Sequence, residues 1–314
     1  MAPDDDRAVD QLARQLAGPP EEVEVLVLVT LFLSLLVLAQ TPAVALQPAT
    51  VDGATSHVYK SIGAEALRLH VFSPSSPAAP APGIVFFFGG GWTGGSVTQF
   101  VPQARYLAQR GMVAIVADYR VFGRHGTSPF EAMADAKSAV RWVRSHAVQL
   151  GVDPNRIAAA GGSAGGHIAL SAAVFDSFDE AGEDRTISSK PNALVLFNPA
   201  VDTTHSTPAV LLERFGSRGR DGSPIHHVHP GLPPTLILHG RADTTVPYAD
   251  VTAFCAEMKK LENQCRLVGY EGATHGFFNP RVGDDKWYRE TLQEADRFLT
   301  GLGYLREPAP SAVR

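Results

Sequence analysis

Residues 156–167 read R-I-A-A-A-G-G-S-A-G-G-H, and the five at the centre, Gly161-Gly162-Ser163-Ala164-Gly165, demand a turn that few folds accommodate. The small apolar residues before them suit a buried strand and the residues after them suit a helix, so the chain must pass from strand to helix almost at once. Glycine two positions to either side of the serine removes the side chains that would collide in so tight a corner. Ser163 is thereby lifted clear of the backbone at the start of a helix, where free N–H groups stabilise developing negative charge. One motif thus predicts an α/β arrangement and a nucleophile at Ser163, with the Ala164 amide beside it as a donor.

A serine hydroxyl alone is a poor nucleophile at neutral pH. It needs an imidazole to take its proton, and that ring needs a carboxylate to orient it. At elbows of this type the acid follows the serine in the chain and the histidine follows the acid. Asp243, in H-G-R-A-D-T-T-V-P, stands just after the apolar run 234–238, and His275, in Y-E-G-A-T-H-G-F-F, is the one histidine beyond it. His275 itself follows another strand-like run, 265–270, so the three residues fall at one edge of a sheet. Asp202, in F-N-P-A-V-D-T-T after the run 193–198, is the rival acid and ranks below Asp243.

Upstream, Ile84-Val85-Phe86-Phe87-Phe88 runs directly into Gly89-Gly90-Gly91-Trp92 and Thr93-Gly94-Gly95-Ser96. Successive glycines let backbone N–H groups face a substrate carbonyl oxygen with no side chain in the way. Gly90 and Gly91, with Ala164, are the expected oxyanion donors. Trp92 is the candidate substrate-binding residue, with Phe122 as a second aromatic expected nearby.

On these motifs the chain resembles the α/β-hydrolase superfamily, and within it the bacterial esterases related to hormone-sensitive lipase and to acetylxylan and feruloyl esterases, over about residues 56–303. The resemblance implies an α/β-hydrolase fold, a mostly parallel central sheet flanked by helices on both faces with little or no cap. It implies a serine carboxylic-ester hydrolase for short-chain or aryl acyl esters, including acetyl or feruloyl groups on polysaccharide. Such an enzyme works through an acyl-enzyme and needs neither cofactor nor metal. These esterases usually show H-G-G-G-W at the oxyanion loop. Phe88 stands where their histidine does, so packing must anchor the loop instead. Two other classes share the pattern: a serine peptidase or acyltransferase with the same triad, and a non-catalytic binding protein on a hydrolase scaffold. A peptidase of this fold would call for a large accessory domain, for which the sequence offers no segment, and a binding protein would be expected to lack a triad member.

Residues 25–39 form a nearly unbroken apolar run, followed by Ala43-Val44-Ala45, the small-residue pattern that a signal peptidase cuts. Residues 1–45 accordingly read as an N-terminal extension and signal peptide, 46–305 as the catalytic domain and 306–314 as a flexible tail. The protein is then secreted or periplasmic, with no stable membrane span after cleavage. The alternative is a membrane anchor at residues 25–39. Asp4, Asp5, Asp6, Asp10, Glu21, Glu22 and Glu24 are out of place ahead of a signal, which points to a translation start further downstream. Without residues 1–45 the chain keeps 25 acidic and 25 basic side chains, and it has no basic run. Nucleic acid is therefore not an expected partner, and a neutral ester, small or polysaccharide-linked, suits the balance. Nothing in the pattern specifies an oligomeric state.

Periodicity gives strands at 57–62, 67–72, 83–88, 112–118, 193–197, 235–238 and 265–270 around the Ser163 elbow, with helices at 99–109, 129–150, 248–262 and 286–302. Within 129–150, Ala132, Ala136, Val140 and Val143 recur at helical spacing and are expected core. Residues 202–232 read as an irregular insert, and 202–229 is the only candidate cover for an otherwise open site. His226, His227 and His229 lack a nearby carboxylate set and read as loop histidines rather than metal ligands. Cys255 and Cys265 can pair if the helix turns Cys255 towards the strand that follows; otherwise they are two buried thiols.

Overall fold

The computed structural model describes residues 46–75, 80–205 and 213–307. The apolar run 25–39, the Ala43–Ala45 pattern and the tail from residue 308 lie outside the described residues. Eight strands form one sheet: β1 (Thr55–Ile62), β2 (Glu65–Phe72), β3 (Ala81–Phe87), β4 (Val113–Ala117), β5 (Val152–Gly162), β6 (Ala193–Phe197), β7 (Thr235–Gly240) and β8 (Cys265–Tyr270). Their spatial order is β1-β2-β4-β3-β5-β6-β7-β8. The β1–β2 and β2–β4 pairs are antiparallel, and every pairing from β4 across to β8 is parallel. Among the described residues, five helices of more than two turns flank the sheet: α1 (Val101–Gln109), α2 (Pro129–Ser145), α3 (Ala164–Val174), α4 (Tyr248–Lys260) and α5 (Lys286–Gly301).

Burial explains why the strands read as they do. Every residue of β3, β4 and β6 is buried, as parallel strands covered on both faces require, so they appear as continuous apolar runs rather than alternating ones. The helix that follows the elbow, α3, is buried along its whole length, in keeping with its lack of a polar face. It lies close to its surroundings: a Cβ on Gly166 would come within 3.0 Å of Gly161 O and 2.9 Å of Pro199 Cβ.

Helix α2 opens with Ser128 as N-cap, Pro129 in the first turn and Glu131 closing a capping box. Its Ala132, Ala136, Val140 and Val143 are buried as the spacing predicts. The helix does not continue to Leu150, however. It stops at Ser145 and resumes as a separate turn, Ala147–Leu150. His146 still donates its backbone N–H to Trp142 O at 3.0 Å, but with φ −103 and ψ 18 its backbone leaves the helical region, its ring stacked on Trp142 with centroids 4.0 Å apart. Beside α2, Asp135 is buried between Lys60 Nζ and Arg120, at 2.7 Å from each. This charge cluster fastens β1 and the loop after β4 to α2. The two cysteines pair: a disulfide joins Cys255 of α4 to Cys265 at the start of β8, with the Cα atoms 5.5 Å apart.

The strand order fixes where a site can form. From β3 the chain goes first to β4 on one side, and then returns past β3 to β5 on the other. Crevices in open parallel sheets lie beyond the carboxyl ends of strands at such a reversal. The glycine loop leaves β3 there, and the Ser163 elbow leaves β5 there.

Candidate active site

Ser163 sits between β5 and α3 with φ 54 and ψ −120. The flanking glycines are required by backbone contacts. A Cβ on Gly161 would lie 2.4 Å from Gly165 O, and one on Gly165 would lie 2.1 Å from Phe87 O. The Ser163 N–H donates to Phe197 O at 2.9 Å, which ties the corner to the end of β6. Ala164, as the first residue of α3, has no intrahelical acceptor for its own N–H.

The structure brings together the three residues singled out from chain order. His275 Nε2 lies 2.9 Å from Ser163 Oγ, and His275 Nδ1 lies 2.8 Å from Asp243 Oδ2. The other Asp243 oxygen accepts from the amides of Thr245 and Val246, both at 2.9 Å. Burial pushes the Asp243 carboxyl up, but the hydrogen bond and charge of His275 and the Val246 amide outweigh it and hold the group below its ordinary value. It therefore remains an acceptor for the imidazole at neutral pH. His239, at the end of β7, is driven towards its neutral form chiefly by burial. Its Nε2 donates to Val246 O at 2.9 Å and lies 3.4 Å from Asp243 Oδ2, so it props the loop that carries the acid. Asp202 is spent elsewhere. It accepts from Thr204 and Ser223 and faces His205 at 3.2 Å, with no bond to His275.

The glycine loop after β3 adopts backbone conformations that a side chain would oppose. Gly90 has φ 134 and Gly91 has φ 59, and a Cβ on Gly90 would lie 2.4 Å from Gly94 O. Neither amide donates to an acceptor among the described residues, leaving both, with Ala164, available to a carbonyl oxygen. Phe88 anchors the loop by packing. Its ring stacks on Tyr119 with centroids 4.2 Å apart, and Tyr119 Oη donates to Phe88 O at 2.6 Å. Gln99, which carries no sequence signal, supplies a second anchor: its Oε1 accepts from Gly89 N at 2.7 Å.

A cleft of about 560 Å³ opens here, lined by glycines 89–91, Gln99, Ser163, Asn198, Thr245, His275 and Phe278 among others. Trp92 is not in it. With φ 56 the chain at Trp92 turns the indole inward, where it is 4 % exposed and packs edge-on against His167 and Phe215. Its Nε1 donates to His167 Nδ1 at 3.3 Å, so the expectation that Trp92 binds substrate is corrected to a core role beneath the loop. Phe122 is exposed but lines a separate cavity, with the Arg214 guanidinium over its ring at 4.7 Å. None of the described residues of 202–229 lines the cleft around Ser163. Among the described residues, His226, His227 and His229 do not gather with carboxylates into a metal-binding group.

A buried acid, an imidazole and an elbow serine beside free amides, at the carboxyl edge of a parallel sheet, define the serine-hydrolase site of the α/β-hydrolase class. The comparisons place the chain further. A family model described as BD-FAE matches residues 69–210, and one described as Prolyl oligopeptidase family matches residues 212–300. Thermogutta terrifontis esterase 2 in its native form is 47% identical, with a TM-score of 0.78, over 82% of this chain and 96% of that one. Two Mycobacterium tuberculosis proteins, the probable carboxylic ester hydrolase LipM and the esterase LipC, are each 32% identical, over 59% and 64% of this chain. The chain spans about half the length of these curated relatives, 46% and 54% respectively. The chain belongs to the α/β-hydrolase esterases related to hormone-sensitive-lipase-like enzymes.

Proposed function

We propose that the protein is a serine carboxylesterase that cleaves short-chain acyl esters through an acyl-enzyme. The observation that carries this reading is the unbroken relay from Asp243 Oδ2 to His275 Nδ1 at 2.8 Å and from His275 Nε2 to Ser163 Oγ at 2.9 Å. In the first half-reaction His275 takes the hydroxyl proton as Ser163 Oγ attacks the ester carbonyl. The resulting oxyanion is held by the amides of Gly90, Gly91 and Ala164, and Asp243 stabilises the imidazolium. His275 then returns the proton to the departing alcohol. In the second half-reaction it activates a water that releases the acid and frees Ser163.

Substrate size follows from the cleft and from the relatives. Structures of Thermogutta terrifontis esterase 2 carry propionate and butyrate, and others are phosphonylated by sarin or phosphorylated by paraoxon, which supports a short acyl pocket beside an activated serine here. The cleft is open and none of the described insert lines it, so an acetyl or feruloyl group on a bulky polysaccharide alcohol can approach Ser163. The disulfide between Cys255 and Cys265 supports the reading of an exported protein, because such bonds persist in oxidising compartments. The match of residues 212–300 to the Prolyl oligopeptidase family model favours peptidase activity as the second reading.

The test is a panel of p-nitrophenyl esters of increasing acyl length, acetylated xylan, feruloylated arabinoxylan and a prolyl p-nitroanilide. Esterase activity concentrated on the shortest acyl groups is expected. Activity confined to long-chain triglycerides, or to the anilide, refutes the reading.

A further inference from the structure

The carboxyl end of β6 touches all three segments that carry the triad. Phe197 O accepts from Ser163 N at 2.9 Å, and Asn198 N donates to Leu238 O at 2.8 Å on β7, the strand that leads to Asp243. The Asn198 side chain completes the set: its Oδ1 accepts from Gly276 N at 3.1 Å, immediately after His275. Asn198 lines the cleft and is itself buried, at 0% exposure.

Two features set this residue apart from ordinary packing. Its backbone has φ 36, in the left-handed region where asparagine is better tolerated than most residues but still under strain. Its Nδ2 is buried with no hydrogen-bond acceptor among the described residues. The structure therefore carries an unfavourable backbone and an unpaired buried donor at the residue whose one side-chain bond holds the segment bearing the general base. Strain confined to a site is a device for fixing reactive geometry.

We infer that Asn198 is a positioning residue for His275, clamping the Gly276 amide so that Nε2 is held on Ser163 Oγ; this inference rests on the esterase reading. Asn198→Gly tests it, because glycine removes the acceptor while suiting the left-handed backbone, so relief of strain offsets the loss of the buried side chain. With p-nitrophenyl butyrate, kcat should fall about tenfold while KM stays within about twofold, the signature of an interaction needed in the transition state. The variant should melt within about 3 °C of the unaltered protein. Phosphorylation of Ser163 by paraoxon, followed by mass spectrometry, should slow by a similar factor. Asn198→Ala, which loses the acceptor and keeps the strain, should lose as much kcat and melt below the glycine variant.

If the unaltered protein is phosphorylated and Asn198→Gly reacts equally fast, the positioning role alone is overturned. A loss of kcat in Asn198→Gly that comes with a melting temperature lowered by clearly more than about 3 °C overturns it as well. If paraoxon leaves the unaltered protein unmodified, the esterase reading falls and this inference with it.

Discussion

The elbow makes a quantitative claim about stability that can be separated from catalysis. Ser163, at φ 54 and ψ −120, has the backbone conformation of the first central residue of a type II′ turn, where glycine is at ease and a Cβ is crowded. Holding a non-glycine residue in such a conformation costs about 1–3 kcal/mol. Ser163→Ala and Ser163→Gly both lose the hydroxyl and its 2.9 Å bond to His275, so both are inactive and that loss cancels between them. What differs is the Cβ, less the roughly 0.5–1 kcal/mol that the greater freedom of glycine costs on folding. The glycine variant should therefore be the more stable by roughly 1 kcal/mol, or about 2–4 °C in Tm for a domain of this size. Calorimetry or urea unfolding of the two variants at pH 7 measures the difference. An alanine variant that melts at or above the glycine variant would show that the corner is not strained and that this account of the elbow is wrong.

Three further outcomes follow from the geometry. Gln99→Ala releases the Gly89 amide that now donates to Oε1 at 2.7 Å; kcat should fall about 10- to 100-fold with little change in KM, less than the roughly 3 kcal/mol lost with a donor itself, and steady-state kinetics on a short ester checks it. Burial drives His167 down to about 4, so its neutral form is favoured by folding; the stability this supplies is complete above the ordinary histidine value and is lost as pH falls from there towards 4. His167 should contribute roughly 2–3 kcal/mol to the difference between urea unfolding at pH 7 and pH 4.5, and His167→Gln should shrink the difference by about that much; an unchanged difference contradicts it. His70, also driven to about 4 mainly by burial, acts in the same direction and keeps the slope from vanishing in that variant. Replacing Cys255 and Cys265 by serine opens a link between residues ten apart, and should cost about 2–3 kcal/mol in unfolding free energy while leaving kcat within about twofold.

The triad was legible in the sequence because chemistry restricts both residue type and chain order, and His275 is the one histidine beyond Asp243. The glycines were legible because turns this tight have few alternatives. The rest depends on contacts between distant residues. Trp92 follows directly on the glycine loop, yet positive φ at Gly91 and Trp92 rotates the indole into the core, a consequence no residue pattern carries. Gln99 is an ordinary polar residue in a helical turn until folding brings its amide to Gly89. Asn198 looks like a strand terminator until β7 and the His275 loop close around it. The expected helix splits where the His146 backbone leaves the helical region with its ring stacked on Trp142, which helical periodicity does not reveal.

The central claim, that Ser163 is the activated nucleophile, is tested most directly by treating the protein with a fluorophosphonate and mapping the adduct by peptide mass spectrometry. One adduct per chain on the peptide containing Ser163, absent from Ser163→Ala and strongly slowed in His275→Ala, is the predicted result. No adduct, or one that persists in Ser163→Ala, contradicts it.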